Sequence, residues 1–362
     1  MKKTLKIIIL SAIAVILAAV IGLSVFFITD MNGGKNGENV QVEIKQGTYT
    51  AQIAEILKDE GIISSPLAFR VFAKLKKYEN SFKYGHYTFN IGDSYEEIAN
   101  KLMTQGAKAE TITVTIPEGS GINDFIKNVN GKQVTVAGIA SILDKSGVCT
   151  KADFIEALEA YALEGKLLSG AKGKNTYYAL EGYLFPETYE FYKLDDSKEA
   201  AKLVVEKMLK ETESRITEDM YKQAEDLGYS MHEILTMASI IQMEAGIDTD
   251  SLPKIAGVFY NRLNSSNFTT LGSSPTIFYG DTFEQDDDRY DTYKIKGLPP
   301  GPLCSPGIKA IKAALKPEGN DYFYFVTDKN GKFYFHKTYA EQTATINNLK
   351  NNGNWIYEYY NK

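Results

Sequence analysis

The chain has 362 residues, of which 44 % are hydrophobic and 24 % charged, with a formal net charge of −6. That balance excludes a wholly disordered chain, and the acidic sign argues against a nucleic-acid partner. The two cysteines, Cys149 and Cys304, and the three histidines, His86, His232 and His336, lie far apart in sequence, which excludes a disulfide framework and speaks against a metal site.

Ile7–Ile28 is a run of 22 residues without a charge, preceded by Lys2, Lys3 and Lys6. At a rise of about 1.5 Å per residue, a helix of that length covers the roughly 30 Å hydrocarbon core. A transmembrane helix over 7–28 is therefore expected, with residues 1–6 cytoplasmic because of the lysine flank. The rest of the chain would then face the outside of a single-pass membrane protein. A cleaved signal peptide is the alternative, although its apolar core normally runs only about 7–15 residues. The Gly/Asn-rich stretch 31–41 reads as a linker.

A strand, a glycine turn and an amphipathic helix then recur in Val42–Leu57, Tyr87–Ala99 and Val114–Ile126, turning at Gly47, Gly92 and Gly119. Ser94-Tyr-Glu-Glu97 fits an N-terminal capping box. Two such units sharing a sheet would make a small α+β module over 42–126, in the manner of LysM glycan-binding domains. Chance repetition of a common pattern is the competing reading.

A mixed α+β domain is expected over 127–362. Helical spacing marks Ala152–Leu163 and Ser197–Ile216, and the aromatic stretch Leu180–Tyr192 between them reads as irregular. Ser230-Met-His-Glu233 is a capping box opening a helix to Ala245, with Gly246 as its stop. Leu252-Pro253 starts the next helix. Four prolines within eight positions of Gly297–Gly307 exclude regular structure there. A helix over Ile308–Leu315 and a hairpin of Tyr322–Val326 with Lys332–Phe335 follow. The run Asp286–Asp288 lacks calcium-loop spacing and reads as a solvated turn.

Chemistry concentrates on the helix ending at Ala245. Ile234, Leu235, Ala238, Ile241 and Ala245 form its buried stripe, and Glu244 stands at the stripe's edge in the last turn. Burial and the helix C-terminus both disfavour an ionised carboxylate, so both push its pKa upward. A carboxylic acid held protonated near neutral pH is what glycosidic cleavage needs as general acid. A solvated glutamate closing a helix is the plain alternative.

Five blocks occur in order: Leu180-Glu-Gly-Tyr-Leu-Phe-Pro-Glu-Thr-Tyr189, Met237-Ala-Ser-Ile-Ile-Gln-Met-Glu-Ala245, Val258-Phe-Tyr-Asn-Arg-Leu263, Ser274-Pro-Thr-Ile-Phe-Tyr-Gly280 and Asp291-Thr-Tyr-Lys-Ile-Lys-Gly-Leu-Pro-Pro-Gly-Pro302. Together they closely resemble the YceG-like endolytic murein transglycosylases, from about Val42 to Phe335. The resemblance implies that Glu244 is the catalytic acid of a lytic transglycosylase. Such an enzyme cleaves between N-acetylmuramic acid and N-acetylglucosamine of nascent glycan strands, leaving 1,6-anhydro-muramyl ends and terminating elongation. It further implies no metal or organic cofactor, location at the cell membrane with the catalytic domain outside, and penicillin-binding proteins of wall synthesis as partners.

Three departures stand out: Gln242 where the family often has Glu, Ser274 where it usually has Asp, and Asp291 where it usually has Asn. Ser239, Gln242 and Asn261 are candidates for orienting substrate. Tyr183, Tyr189, Tyr279 and Glu187 are further substrate-binding candidates, since aromatic planes suit sugar faces as well as cores. Glu181 or Glu187 as second carboxylate would instead give a two-carboxylate muramidase. A wall-binding scaffold with a decayed catalytic site is the rival from another class.

Overall fold

Alternation of buried and exposed side chains in Asn39–Ile44 (β1) and Gly85–Asn90 (β2) gives two strands that pair antiparallel, with Val42 opposite Tyr87 and Val40 opposite Phe89. The structure, a computed structural model, describes residues 29–355 except 35–36, 38, 46–47, 79–80, 105–110, 130–131, 195, 247 and 284–287. Helices α1 (Thr50–Asp59) and α2 (Pro66–Lys76) lie between the two strands in sequence, and α3 (Tyr95–Thr104) follows them. Ser65 Oγ accepts the Ala68 N–H at 3.2 Å to cap α2, and Pro66 occupies the first helical position, where its missing N–H costs nothing. At α3 the Glu97 carboxylate accepts the Ser94 N–H at 2.7 Å, completing the capping box anticipated from sequence. One faces of all three helices meets the strands in a core of Ile53, Leu57, Phe69, Phe72, Tyr87, Phe89, Tyr95, Ile98 and Leu102.

The chain divides into two compact units between Thr111 and Ile112. β3 (Thr111–Thr115) starts at this boundary and pairs with β6 (Thr188–Tyr192), and in the second unit β4 (Phe125–Val129) pairs antiparallel with β5 (Lys132–Val136). Helices α4 (Ile139–Ser146), α5 (Lys151–Glu159), α6 (Gly165–Leu168), α7 (Ser197–Arg215), α8 (Glu218–Leu227), α9 (Met231–Ala245), α10 (Leu252–Asn264), α11 (Ser274–Phe283) and α12 (Ile308–Leu315) follow. The hairpin β7 (Tyr324–Thr327) and β8 (Phe333–His336) and the helix α13 (Tyr339–Asn351) come last. Helix α9 is the axis of this unit, packing against α10, α11 and α12. Twelve of its fifteen residues are buried, so it is surrounded rather than one-sided as its sequence stripe suggested.

Two expectations change. The fold is mixed α+β, but the transmembrane helix included in the fold class is not supported. Among the described residues no helix is long and apolar enough to cross a membrane, and 7–28 lies outside those residues. The longest described helix, α7 with 19 residues, carries charges along its whole length, and the apolar α9 has only 15. A helix of 15 residues spans about 22 Å, short of the hydrocarbon thickness. The third strand–glycine–helix segment also differs, since Gly119 leads into turns and then β4 rather than a helix. Its apolar residues serve the second unit instead, Ile122 being buried in that core beside Ile139 and Leu143.

Candidate active site

Helix α9 is held at both ends. The Ser230 hydroxyl accepts the Glu233 N–H at 3.3 Å while the Glu233 carboxylate accepts the Ser230 N–H at 2.8 Å. Gly246, with φ of +59°, ends the helix. Glu244 lies half-buried in the last turn, where its Oε1 accepts a 2.6 Å hydrogen bond from Ser273 Oγ.

Ser273 is fully buried and fixed from several sides. Its N–H donates to Thr292 Oγ1 at 2.9 Å, its carbonyl accepts from Thr276 Oγ1 at 2.6 Å, and the two threonine hydroxyls lie 2.8 Å apart. Gly272 N–H donates to Thr292 O at 2.9 Å. Two blocks that are separate in sequence, Ser273–Thr276 and Asp291–Tyr293, thus become one hydroxyl network at the end of α9. Asp291 Oδ1 accepts the Tyr293 N–H at 2.9 Å, an Asx turn that an asparagine oxygen forms equally well. Tyr293 remains 47 % exposed, with its hydroxyl 3.3 Å from Ser274 Oγ.

Arg262 of α10 completes the surroundings. Its Nε–H donates to Phe323 O at 2.7 Å, and Nη1 donates to Leu271 O at 2.8 Å and Gly272 O at 3.0 Å. The guanidinium lies about the rings of Phe259, Phe268 and Tyr324 at 5.7–5.8 Å. Burial holds its pKa below the ordinary value, and the negative charge of Glu244 is the largest influence pulling it back up. By the same interaction Arg262 favours the carboxylate form of Glu244, as does the Ser273 donor. Both act against the burial and helix-terminus effects expected from sequence.

The other candidates sit elsewhere. Ser239 Oγ accepts the Leu303 N–H at 3.0 Å and donates to Thr236 O at 2.7 Å, while Gln242 Oε1 accepts the Gly307 N–H at 3.0 Å. His232 Nε2 donates to Pro300 O at 2.7 Å, its Nδ1 accepts from Tyr183 Oη at 2.8 Å, and burial lowers its pKa. Three polar side chains of α9 therefore fasten the proline-rich loop 297–307. Asn261 Nδ2 donates to Asn320 and Tyr322 carbonyls at 3.0 and 2.8 Å, bracing the chain before β7.

Tyr183 and Tyr189 pack in the core with Phe185 and Phe191, the Tyr189 hydroxyl donating to Phe185 O at 2.6 Å. Glu187 is exposed and paired with Arg215 at 3.0 Å. Glu181 is 1 % exposed, accepting from Ile122 N–H and Tyr279 Oη, each at 3.1 Å, and burial pushes its pKa up to about 8. Sequence reasoning did not single out Ser273, Thr292, Arg262 or Tyr293 as site residues. The available signal was that each falls within or beside one of the ordered blocks.

The sequence pattern of the YceG-like family matches residues 42–348. The protein named endolytic murein transglycosylase in Bacillus subtilis (strain 168) is 34 % identical over 318 residues, 83 % of this chain and 82 % of that one. Its namesake in Streptococcus pneumoniae serotype 2 is 29 % identical over 334 residues, 85 % of this chain but 58 % of the longer relative. A crystal structure of a YceG-like protein from Listeria monocytogenes superposes with a TM-score of 0.54 at 29 % identity, covering 85 % of this chain and 99 % of that one.

Proposed function

The chain belongs to the YceG-like family, and from that premise we propose that it is an endolytic murein transglycosylase with Glu244 as its acid and base. The observation that carries the residue assignment is the convergence on the Glu244 carboxyl of the Ser273 hydroxyl and the Arg262 charge, at the end of the buried helix α9.

Protonated Glu244 gives its proton to the glycosidic oxygen as the bond to C1 of N-acetylmuramic acid breaks. The carboxylate it leaves is stabilised by Ser273 Oγ–H and by Arg262. The C6 hydroxyl of the same sugar then attacks C1, its proton returns to Glu244, and a 1,6-anhydro end forms without water. Intramolecular attack carries a high effective molarity, so a second carboxylate is dispensable. The surroundings of the two alternatives agree with this. Glu181 is sealed in the core and Glu187 is engaged by Arg215, which disfavours a two-carboxylate muramidase. The exposed Tyr293 ring is the aromatic surface beside this site suited to a sugar face.

Such a substrate places the work of the enzyme on the extracytoplasmic side, with wall synthases as partners that supply nascent strands. The unit built from β1, α1, α2, β2 and α3 serves as the LysM-like glycan-holding module. Mass spectrometry of products from uncrosslinked glycan strands tests the reading. The parent yields anhydro-muramyl ends and Glu244→Gln yields none; reducing ends from the parent would mean that water attacks and would overturn it.

A further inference from the structure

Helix α2 (Pro66–Lys76) is apolar on two faces. Ala68, Phe69, Phe72 and Ala73 enter the core, yet Leu67, Val71 and Leu75 are 62, 50 and 78 % exposed. Their i, i+4, i+8 spacing aligns them as one stripe on the outer surface. Arg70 and Lys74 are exposed on the same outward arc, and α2 contains no acidic residue. Arg70 also lines a shallow cavity of about 400 Å³ with Thr48, Tyr49 and Phe82, and the Tyr49 ring is largely exposed.

An apolar row edged by cations and joined by an exposed tyrosine has the chemistry of a surface that lies in a lipid headgroup region. Aliphatic side chains enter the acyl boundary, basic groups meet anionic phosphates, and aromatic rings favour the interface. The positive edge stands out in a chain whose net charge is −6. Asp30 fixes the start of α2, its carboxylate accepting the Ser64 and Ser65 N–H groups at 3.0 and 3.1 Å.

We propose that the outer face of α2, through Leu67, Val71 and Leu75 with Arg70 and Lys74, docks on the surface of a bilayer containing anionic lipid. This goes beyond the glycan chemistry and does not depend on it. The contact would hold the first unit against the bilayer surface.

The test uses the full chain with an environment-sensitive fluorophore on Leu75→Cys; Cys149 and Cys304 are both buried, which confines labelling to the new thiol. The protein is mixed with phosphatidylcholine vesicles with and without phosphatidylglycerol, with a second label on Ile126→Cys as reference. The expected result is a blue shift at position 75 that is larger with anionic lipid and absent at position 126. Arg70→Gln with Lys74→Gln, at unchanged circular dichroism, should weaken that anionic-lipid-dependent docking by about thirtyfold for two basic groups. No shift at position 75, or an equal shift in both vesicles, would overturn the proposal. A shift that instead follows protein concentration without lipid would assign the face to a second copy of the chain, and would overturn it equally.

Discussion

At the scale of single residues, the site turns on what surrounds one carboxyl. Ser273 Oγ donates to Glu244 Oε1 at 2.6 Å, and a hydrogen bond to a charged group is worth about 1.5–3 kcal/mol. Ser273→Ala should therefore lower kcat/KM by about tenfold to a hundredfold. Because the lost donor favoured the carboxylate, the limb that falls as the acid ionises should also move to higher pH. A pH–rate profile checks both, and an unmoved limb would remove Ser273 from the mechanism.

Glu181 gives a different pH signature. Its folded pKa is raised by burial from the ordinary 4.5 to about 8, so the folded state holds a proton that the unfolded chain releases. The stability this contributes is fully present below about 4.5 and is lost as pH rises through about 8, at about 1.4 kcal/mol per pH unit between them. Urea midpoints from pH 5 to 8.5 should fall with that slope in the parent and lose this component in Glu181→Gln. The variant should be less stable at pH 5, because an amide reproduces only part of the hydrogen bonding to Ile122 N–H and Tyr279 Oη. Parallel curves for the two proteins would show that the carboxyl is ionised in the fold.

At the scale of elements, α9 carries both Glu244, the proposed acid, and the scaffold that places it. Ser239→Ala removes the acceptor of a buried Leu303 N–H, and such an orphaned group costs about 1–3 kcal/mol. The thermal midpoint of the second unit should drop while KM for glycan changes little, since Ser239 holds a loop rather than a sugar. A KM effect larger than the stability effect would return Ser239 to the substrate-binding residues. This helix also shows where sequence reading works and where it stops. The Ser230–Glu233 box, the Gly246 stop, Pro253 near the start of α10 and the bounds of α12 were legible because each has a local cause, a cap, a turn or a missing N–H. Ser239, Gln242 and Asn261 were legible as polar residues near Glu244 but not as loop fasteners, because their partners lie 59–65 residues away. Ser273 stayed hidden for the same reason: its contact with Glu244 spans 29 residues and is created by the packing of α11 against α9.

At the scale of the whole molecule, the two units bury separate sets of side chains. The first core contains Phe69, Phe72, Tyr95 and Leu102, and the second contains the residues of α9 through α12, with none in common. Patterning announced both, through period-two alternation in β1 and β2 and helical spacing beyond Thr150, but their division is set by which apolar faces meet. Val114 and Ile116 show this: their alternating pattern resembles that of β1, yet they pack in the second core. Separate cores predict separable stability. Phe69 is fully buried, and Phe69→Ala should cost the first unit about 3–5 kcal/mol, enough to open much of a small domain. Hydrogen exchange should then rise through β1, α1, α2, β2 and α3 while the amides of α9 keep their protection. Short uncrosslinked strands should still be cleaved, because Glu244, Ser273 and Arg262 belong to the other core. Loss of protection in α9 together with α2 would mean that the units unfold as one, and would make the first unit part of what holds Glu244 in place.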